Sequence, residues 1–104
     1  MAMEKLIDVP VNPNVYYEIK SIVRADVAGV KEGYIATYRG DYHIVSLEEI
    51  VITVQDFWST ITWYIKVEDA DRLVLRLGDV ELLNSRVSYL ANDGSWRLHT
   101  AFYP

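Results

Sequence analysis

One group of side chains has the composition of a metal or acid–base site. Asp41 and His43 are two residues apart, and His99 follows much later in the chain. Residues two apart in a strand share a face, so the first two side chains could reach one ion, with the second histidine as a third ligand. Two imidazoles and one carboxylate suit Zn²⁺ or Fe(II). Because an aspartate after Gly40 is also an ordinary turn residue, we expect structural or surface roles for all three and no cofactor.

A second group is acidic. Its members are Glu68, Asp69, Asp71, Asp79 and Glu81. Alternate carboxylates near a turn can bind Ca²⁺, but the glycine and terminal glutamate of the EF-hand loop are missing. A run of negative charge can also imitate a phosphate backbone and occupy a nucleic-acid-binding partner. We expect solvated loop residues here and keep an acidic inhibitor of a larger complex as the alternative function.

The compositional excess of the chain is aromatic, with three Trp, eight Tyr and two Phe. If these regions are strands, Tyr34 and Tyr38 share one strand face, and Trp58 and Tyr64 share another. Rings left partly exposed on a sheet supply binding area at low entropic cost. We therefore expect these four residues to bind protein, most simply a second copy of the chain in a homo-oligomer. The competing interpretation is that the rings only cover a thin sheet.

Several other chemistries lack the residues that they need. Without cysteine, the chain has no disulfide framework, thiolate zinc site or cysteine nucleophile. It also contains neither the nucleophile elbow of serine hydrolases nor a glycine-rich phosphate loop. A net charge of −5 argues against nucleic acid and anionic membranes as partners. A non-enzymatic binding module is the expected function, and a metal-dependent enzyme on the first group is the third possibility.

The chain reads as one unit without linkers or internal repeats. At 104 residues it is long enough to enclose a core, so we predict a single small β-rich domain over residues 1–104, with residues 1–5 flexible. The sequence does not open on a basic segment followed by an apolar stretch, and no apolar run approaches about 20 residues. We expect a cytoplasmic protein that does not enter a membrane.

Two hairpins are predicted from local signals. Residues 34–38 and 42–45 flank a turn that contains Gly40. Residues 86–90 and 96–102 flank Asn92-Asp93-Gly94, and Asp-Gly between alternating runs is typical of a hairpin turn.

Three more strands are predicted from the alternation of apolar and polar side chains. Residues 59–67 alternate most regularly, and residues 72–77 place leucine at every second position. Residues 50–54 form a run rich in β-branched side chains that disfavours a helix. The preceding residues 46–49 fit a capping box, which predicts one tight turn before that strand.

The segment after Pro13 fits both a helix and a strand. Asn12 as helix cap and Pro13 at the first helical position agree with apolar residues at helical spacing from Val15 onward. The β-branched and tyrosine side chains of residues 16–24 favour a strand instead. We predict the helix for this segment. Together with the predicted strands, it gives a mainly β fold: a small antiparallel barrel or sandwich of about six or seven strands with one short N-terminal helix, or alternatively an α+β fold.

Overall fold

The computed structural model describes the backbone of residues 4–104 and the side chains of residues 6–42 and 52–104. Eight β-strands make up most of this chain: β1 (Glu4–Pro10), β2 (Val15–Arg24), β3 (Gly29–Arg39), β4 (Tyr42–Val54), β5 (Ser59–Val67), β6 (Arg72–Gly78), β7 (Glu81–Leu90) and β8 (Trp96–Phe102). Residues 4–104 contain no helix, and so none that could cross a bilayer. The predicted mainly β fold is confirmed, with β1 as a strand that the sequence analysis did not predict.

The strands form two antiparallel sheets that pack face to face. Sheet A has the order β1-β6-β3-β4, and sheet B has the order β5-β2-β7-β8. The pairs β3–β4 and β7–β8 are sequential hairpins, whereas the other five connections pass from one sheet to the other. Of the two predicted architectures, the sandwich is the one observed.

The alternating strand directions gather the loops at two ends. The hairpin end holds the loops β1–β2, β3–β4, β5–β6 and β7–β8. There the Val11 amide donates to the Asp71 carbonyl at 2.9 Å, and the Asp71 amide donates to the Tyr38 carbonyl at 2.8 Å. The crossover end holds the other three loops, where the Ala25 amide donates to the Gln55 carbonyl at 2.9 Å.

The core lies between the sheets and takes every second residue of most strands. Side chains from both sheets form one cluster, which includes Ile7, Tyr17, Ile19, Val23, Ile35, Val54, Trp63, Val67, Leu73, Leu75, Leu77 and Val87. One polar pair lies inside sheet B: Ser21 and Ser85 face each other in the β2–β7 ladder with their Oγ atoms 2.8 Å apart. This hydrogen bond satisfies two hydroxyl groups that are buried away from water.

The predicted N-terminal helix is wrong, because its residues form β2. Tyr17, Ile19 and Val23 are completely buried, which is a period of two rather than the helical period. Pairing with β5 on one side and β7 on the other satisfies the backbone of this strand. The helix-start signals instead belong to a turn, in which Asn14 takes a φ of 61° that asparagine tolerates.

The predicted tight turn at residues 46–49 is also wrong, because β4 continues without interruption from Tyr42 to Val54. The β3–β4 register shifts between Gly33 and Ile35 and again between Thr37 and Tyr38, each time with one extra residue in β4. Such bulges bend a strand without ending it.

The other predicted strands and both hairpins are confirmed. Gly40 and Gly94 have φ values of 57° and 83°, the left-handed conformation that their hairpin turns require. Residues 1–3 of the segment predicted to be flexible lie outside the described residues, and Glu4 begins β1.

Candidate functional site

A cluster of exposed apolar side chains lies on the outer face of sheet B. All four strands of this sheet contribute to it, and its members are 36% to 60% exposed. We call this cluster the aromatic face and define it as Tyr16, Tyr64, Leu90, Trp96 and Leu98. Scattered surface apolar residues are normal, but a contiguous group of this kind is typical of contact surfaces.

Strand alternation and register place these side chains together. Tyr16 and Tyr64 occupy outward positions because their neighbours Tyr17 and Ile65 point into the core. Across the β7–β8 hairpin, Leu90 faces Trp96 and Ser88 faces Leu98. Since the inward positions are fixed by burial, the outward set is fixed as well.

Two long side chains meet across the middle of this face. The ring centroids of Tyr64 and Trp96 are 5.6 Å apart, and their planes are tilted by 48°. Tyr64 is on edge strand β5 and Trp96 is on edge strand β8, so both rings reach inward over β2 and β7. In the ladder that joins them, Tyr64 faces Glu18 and Glu18 faces the small Ser88.

The Tyr64–Trp96 contact encloses a carboxylate on the outer face. Glu18 is only 8% exposed, although it points away from the core. Its Oε1 lies 3.7 Å from Nζ of Lys20. A hydrogen bond to the Glu18 carboxylate, together with partial desolvation, raises the pKa of Tyr64, because both favour the neutral phenol.

Basic side chains border the aromatic face. Lys20 and Arg86 face each other in the β2–β7 ladder, and Lys66 faces Tyr16 in the β2–β5 ladder. Nζ of Lys66 lies 5.7 Å from the centroid of the Tyr16 ring. The cluster therefore has an apolar centre and a positively charged border.

The predicted residues Tyr34 and Tyr38 lie on the outer face of the other sheet. Each faces an arginine of β6, Tyr34 opposite Arg76 and Tyr38 opposite Arg72. The guanidinium carbons lie 6.0 Å and 4.7 Å from the two ring centroids, which is within the range of cation–π contacts. Both tyrosines are half-buried.

The predicted residue Trp58 is exposed and precedes β5 at the crossover end. Its ring centroid lies 5.9 Å from the guanidinium carbon of Arg24. Six residues of extended chain separate Trp58 from Tyr64, about 20 Å. The structure thus places Tyr34 and Tyr38 four residues apart on the outer face of sheet A. It places Tyr64 on the outer face of sheet B and Trp58 at one end of that sheet.

The acidic residues are divided between the two ends of the sandwich. Glu68, Asp69 and Asp71 lie in the β5–β6 loop, whereas Asp79 and Glu81 lie beyond the far end of β6. Three of them form ion pairs: Arg39 with Asp69, Lys31 with Asp79 at 3.1 Å, and Arg24 with Glu81 at 2.8 Å. The Asp71 carboxylate accepts the Gly40 amide at 3.2 Å. These carboxylates do not share one face.

The structure describes the side chains of two of the three candidate metal ligands. Asp41 is exposed in the β3–β4 turn, and the His43 side chain lies outside the described residues. His99 is half-buried on β8 with Nε2 2.6 Å from the Pro10 carbonyl oxygen, a contact that joins the two sheets. Among the side chains of residues 6–42 and 52–104, no three acidic or histidine residues form a group that could hold a metal ion.

Four members of the aromatic face were not predicted from the sequence. Tyr16 was assigned to a helix, which hid its outward position in β2. Leu90, Trp96 and Leu98 belong to a hairpin that was predicted correctly. Their alternation with Tyr89 and Arg97 groups them on one side of this hairpin, but it does not reveal whether that side faces the core or the solvent.

No protein-family model matches the chain, and a search of curated proteins finds no similar sequence.

Proposed function

We propose that this chain is a non-enzymatic protein-binding module that self-associates through the aromatic face of sheet B. The observation that supports this most directly is the contact between Tyr64 and Trp96, which are two of the five exposed apolar side chains of the aromatic face. Tyrosine and tryptophan carry a large share of the binding energy in protein interfaces, because they bury much area with few rotatable bonds.

The charge distribution is compatible with a second copy as the partner. Lys20, Lys66 and Arg86 border the apolar centre, while the chain as a whole carries a net charge of −5. Since the acidic residues lie at the ends of the sandwich, another copy can meet this border with carboxylates when one of its ends, rather than its own basic border, lies against it. An apolar centre inside a charged border is also the usual composition of a protein interface.

The two alternative functions receive less support. An acidic inhibitor would need its carboxylates on one face, but the acidic residues lie at both ends of the sandwich and several are ion-paired. A metal-dependent enzyme would need its ligands in one group, and the side chains of residues 6–42 and 52–104 contain no group of three acidic or histidine residues that could hold a metal ion. The aromatic face is the more complete site.

Sedimentation equilibrium of three chains tests the proposal. The wild-type chain, measured from about 10 µM to about 1 mM, is expected to gain mass with concentration, and Trp96→Ala is expected to weaken association at least about tenfold. Trp58→Ala is the matched control, because Trp58 is an exposed tryptophan outside the aromatic face. Leu98→Ser changes an exposed position of the same face. Weakened association in this variant as well would show that the effect of Trp96→Ala is not a folding defect.

A wild-type chain that stays monomeric up to about 1 mM would overturn self-association, since that limit corresponds to about 4 kcal/mol of binding free energy. Equal weakening by Trp96→Ala and Trp58→Ala would place the interface elsewhere. Retained association in both Trp96→Ala and Leu98→Ser would do the same.

A further inference from the structure

Two loops at the crossover end each expose an apolar side chain. The β2–β3 and β4–β5 loops lie side by side, because the Ala25 amide donates to the Gln55 carbonyl. Val27 and Phe57 each lie two residues beyond this hydrogen bond, and they are 75% and 60% exposed. We call these two side chains the apolar tip. The apolar tip shares no residue with the aromatic face.

A carboxylate precedes each residue of the apolar tip. Asp26 precedes Val27, Asp56 precedes Phe57, and both aspartates are exposed. Arg24 forms an ion pair with Asp26, whereas Asp56 has no ion pair among the described side chains. The apolar tip therefore lies beside negative charge.

The ion pairs of the crossover end leave their carboxylates more exposed than their bases. The side chains of Arg24 and Lys31 are only 29% and 16% exposed. Their partners Asp26, Asp79 and Glu81 are 83%, 66% and 48% exposed. The surface that this end presents to another molecule is therefore acidic, although its carboxylates are largely paired.

The ion pairs of the hairpin end expose both signs of charge. There the side chains of Arg39 and Arg97 are 56% and 57% exposed, against 75% and 58% for their partners Asp69 and Asp93. A positively charged surface would meet exposed bases at the hairpin end but mainly carboxylates at the crossover end. Of the two ends, the crossover end is the better electrostatic partner for such a surface.

A cleft next to the apolar tip has the same character. It has a volume of about 190 Å³ and lies between the β2–β3 loop and the β6–β7 loop. Its charged lining consists of the three paired carboxylates and Lys31, and its apolar lining includes Val27 and Val80. A lysine or arginine side chain of another molecule suits this lining, because its stem is apolar and its head is positively charged.

We propose that the apolar tip of one copy docks on the aromatic face of the next copy, so that the chains associate head to tail. This inference rests on the proposed self-association and names the surface of the second copy that takes part. The apolar tip then packs on Tyr64 and Trp96, while the exposed carboxylates around it meet the positively charged border of the aromatic face. Two aromatic faces placed against each other would instead oppose the same basic side chains.

The two surfaces of one chain are too far apart to meet each other. Tyr64 lies about 20 Å from Trp58 along the extended chain, and Phe57 lies beyond Trp58. Each contact between two copies therefore leaves one unused apolar tip and one unused aromatic face. Further copies add at both positions, so the assembly grows beyond two chains.

Sedimentation equilibrium of single variants tests the apolar part of the contact. Phe57→Ser is expected to weaken association at least about tenfold, because it removes the ring of the apolar tip. Tyr42→Ser is the matched control and is expected to associate like wild type, since Tyr42 is an exposed aromatic residue at the hairpin end. Trp58→Ala stays a control as well, because the Trp58 ring lies over Arg24 and is not part of the apolar tip.

Asp56→Lys tests the electrostatic part of the contact. It places a positive charge beside the apolar tip, so it is expected to weaken association several-fold. Glu68→Lys makes the same change of charge at an exposed carboxylate of the β5–β6 loop, at the hairpin end, and is expected to associate like wild type.

A mixture of two defective chains distinguishes a head-to-tail contact from a symmetric one. Phe57→Ser keeps an intact aromatic face and Trp96→Ala keeps an intact apolar tip. Neither is expected to assemble alone at a concentration that assembles wild type, but an equal mixture is expected to form a complex of two chains. This complex stops there, because its remaining apolar tip and aromatic face are the defective ones, whereas wild type exceeds the mass of two chains. Asp56→Lys mixed with Leu98→Ser repeats the experiment with different exposed positions.

Three results would overturn the head-to-tail contact. The first is a wild-type mass that stops at two chains. The second is undiminished association of both Phe57→Ser and Asp56→Lys, and the third is the failure of both mixtures to form the two-chain complex. Each of them leaves the proposed function standing if wild type associates and Trp96→Ala does not. A wild-type chain that stays monomeric would remove both proposals.

Discussion

Tyr64 and Trp96 contact each other across two intervening strands, with 5.6 Å between their ring centroids. The contact joins the two edge strands of sheet B and lies over Glu18, which faces Tyr64 in the β2–β5 ladder. An outward-pointing carboxylate is thereby enclosed rather than solvated. The aromatic face is therefore an organised surface, with a hydrogen-bonded polar group beneath its rings.

The enclosed carboxylate is expected to control the ionisation of Tyr64. The hydrogen bond to Glu18 raises the pKa of Tyr64 above its ordinary value of 10.0. In Glu18→Gln the pKa is expected to fall back toward that value, because the carboxylate charge that opposes the phenolate is gone. A titration of the Tyr64 ring signals by nuclear magnetic resonance measures the change.

The sign of the linked stability effect follows from the direction of this shift. A pKa raised by folding stabilises the folded state fully below the pKa of the unfolded chain, and that contribution is lost as the pH rises through the raised value. Glu68→Gln, in the exposed β5–β6 loop, is the control and should leave the Tyr64 titration unchanged. An unchanged titration in Glu18→Gln would contradict the hydrogen-bond assignment.

Strands with local signals could be predicted from the sequence, and strands defined by distant partners could not. β5 and the β7–β8 hairpin show their alternation and turn residues within a few positions. β2 carries local helix-start signals, but it is a central strand whose pairing with β5 and β7 outweighs them. β1 has only Ile7 and Val9 as buried apolar residues among the described side chains of a short strand, which is too little alternation to detect.

The candidate site also has one part that local sequence signals predict and another part that depends on distant strand pairing. The outward position of Tyr64 was predicted from the alternation of residues 59–67, and the structure confirms that alternation. Its contact with Trp96 depends on the strand order β5-β2-β7-β8. This order results from crossovers between the sheets, which no local pattern encodes.

Asp93 is expected to hold the β7–β8 turn together and to make it sensitive to acid. Hydrogen bonds from the Ser95 hydroxyl and amide, and then from Arg97, lower the pKa of Asp93 below 3.8. Its contribution to folding is present above the ordinary aspartate pKa and is lost as the pH falls through the lowered value.

Asp93→Ala should therefore speed hydrogen exchange of the Ala91 and Gly94 amides at neutral pH, where these amides bond within the turn. The matched control is Asp41→Ala, which removes an exposed aspartate from the other hairpin turn. Exchange that is equally fast in wild type and Asp93→Ala would show that the turn does not need this carboxylate.

Two glycines are expected to respond oppositely to alanine. Gly94 has a φ of 83° with open space around it, so Gly94→Ala meets backbone strain rather than a clash and should cost about 1 kcal/mol. Gly78 lies in β6 without a positive φ, and an added Cβ would make an ordinary contact of 3.7 Å with the Glu32 carbonyl oxygen. Gly78→Ala should be neutral or stabilising, because it restricts the unfolded chain. Urea unfolding measures both, and equal effects would contradict the strain argument.

The Ser21–Ser85 pair predicts strong coupling between two substitutions in the core. Their hydroxyl oxygens are 2.8 Å apart, and both residues are at most 1% exposed. Removing one hydroxyl leaves the other buried without its partner, so Ser21→Ala or Ser85→Ala alone should lower the free energy of unfolding by about 1 to 3 kcal/mol. The double variant should cost less than the sum, because no hydroxyl remains unsatisfied. A double-mutant cycle by urea unfolding measures the difference, and strict additivity would mean that each hydroxyl finds another acceptor when its partner is removed.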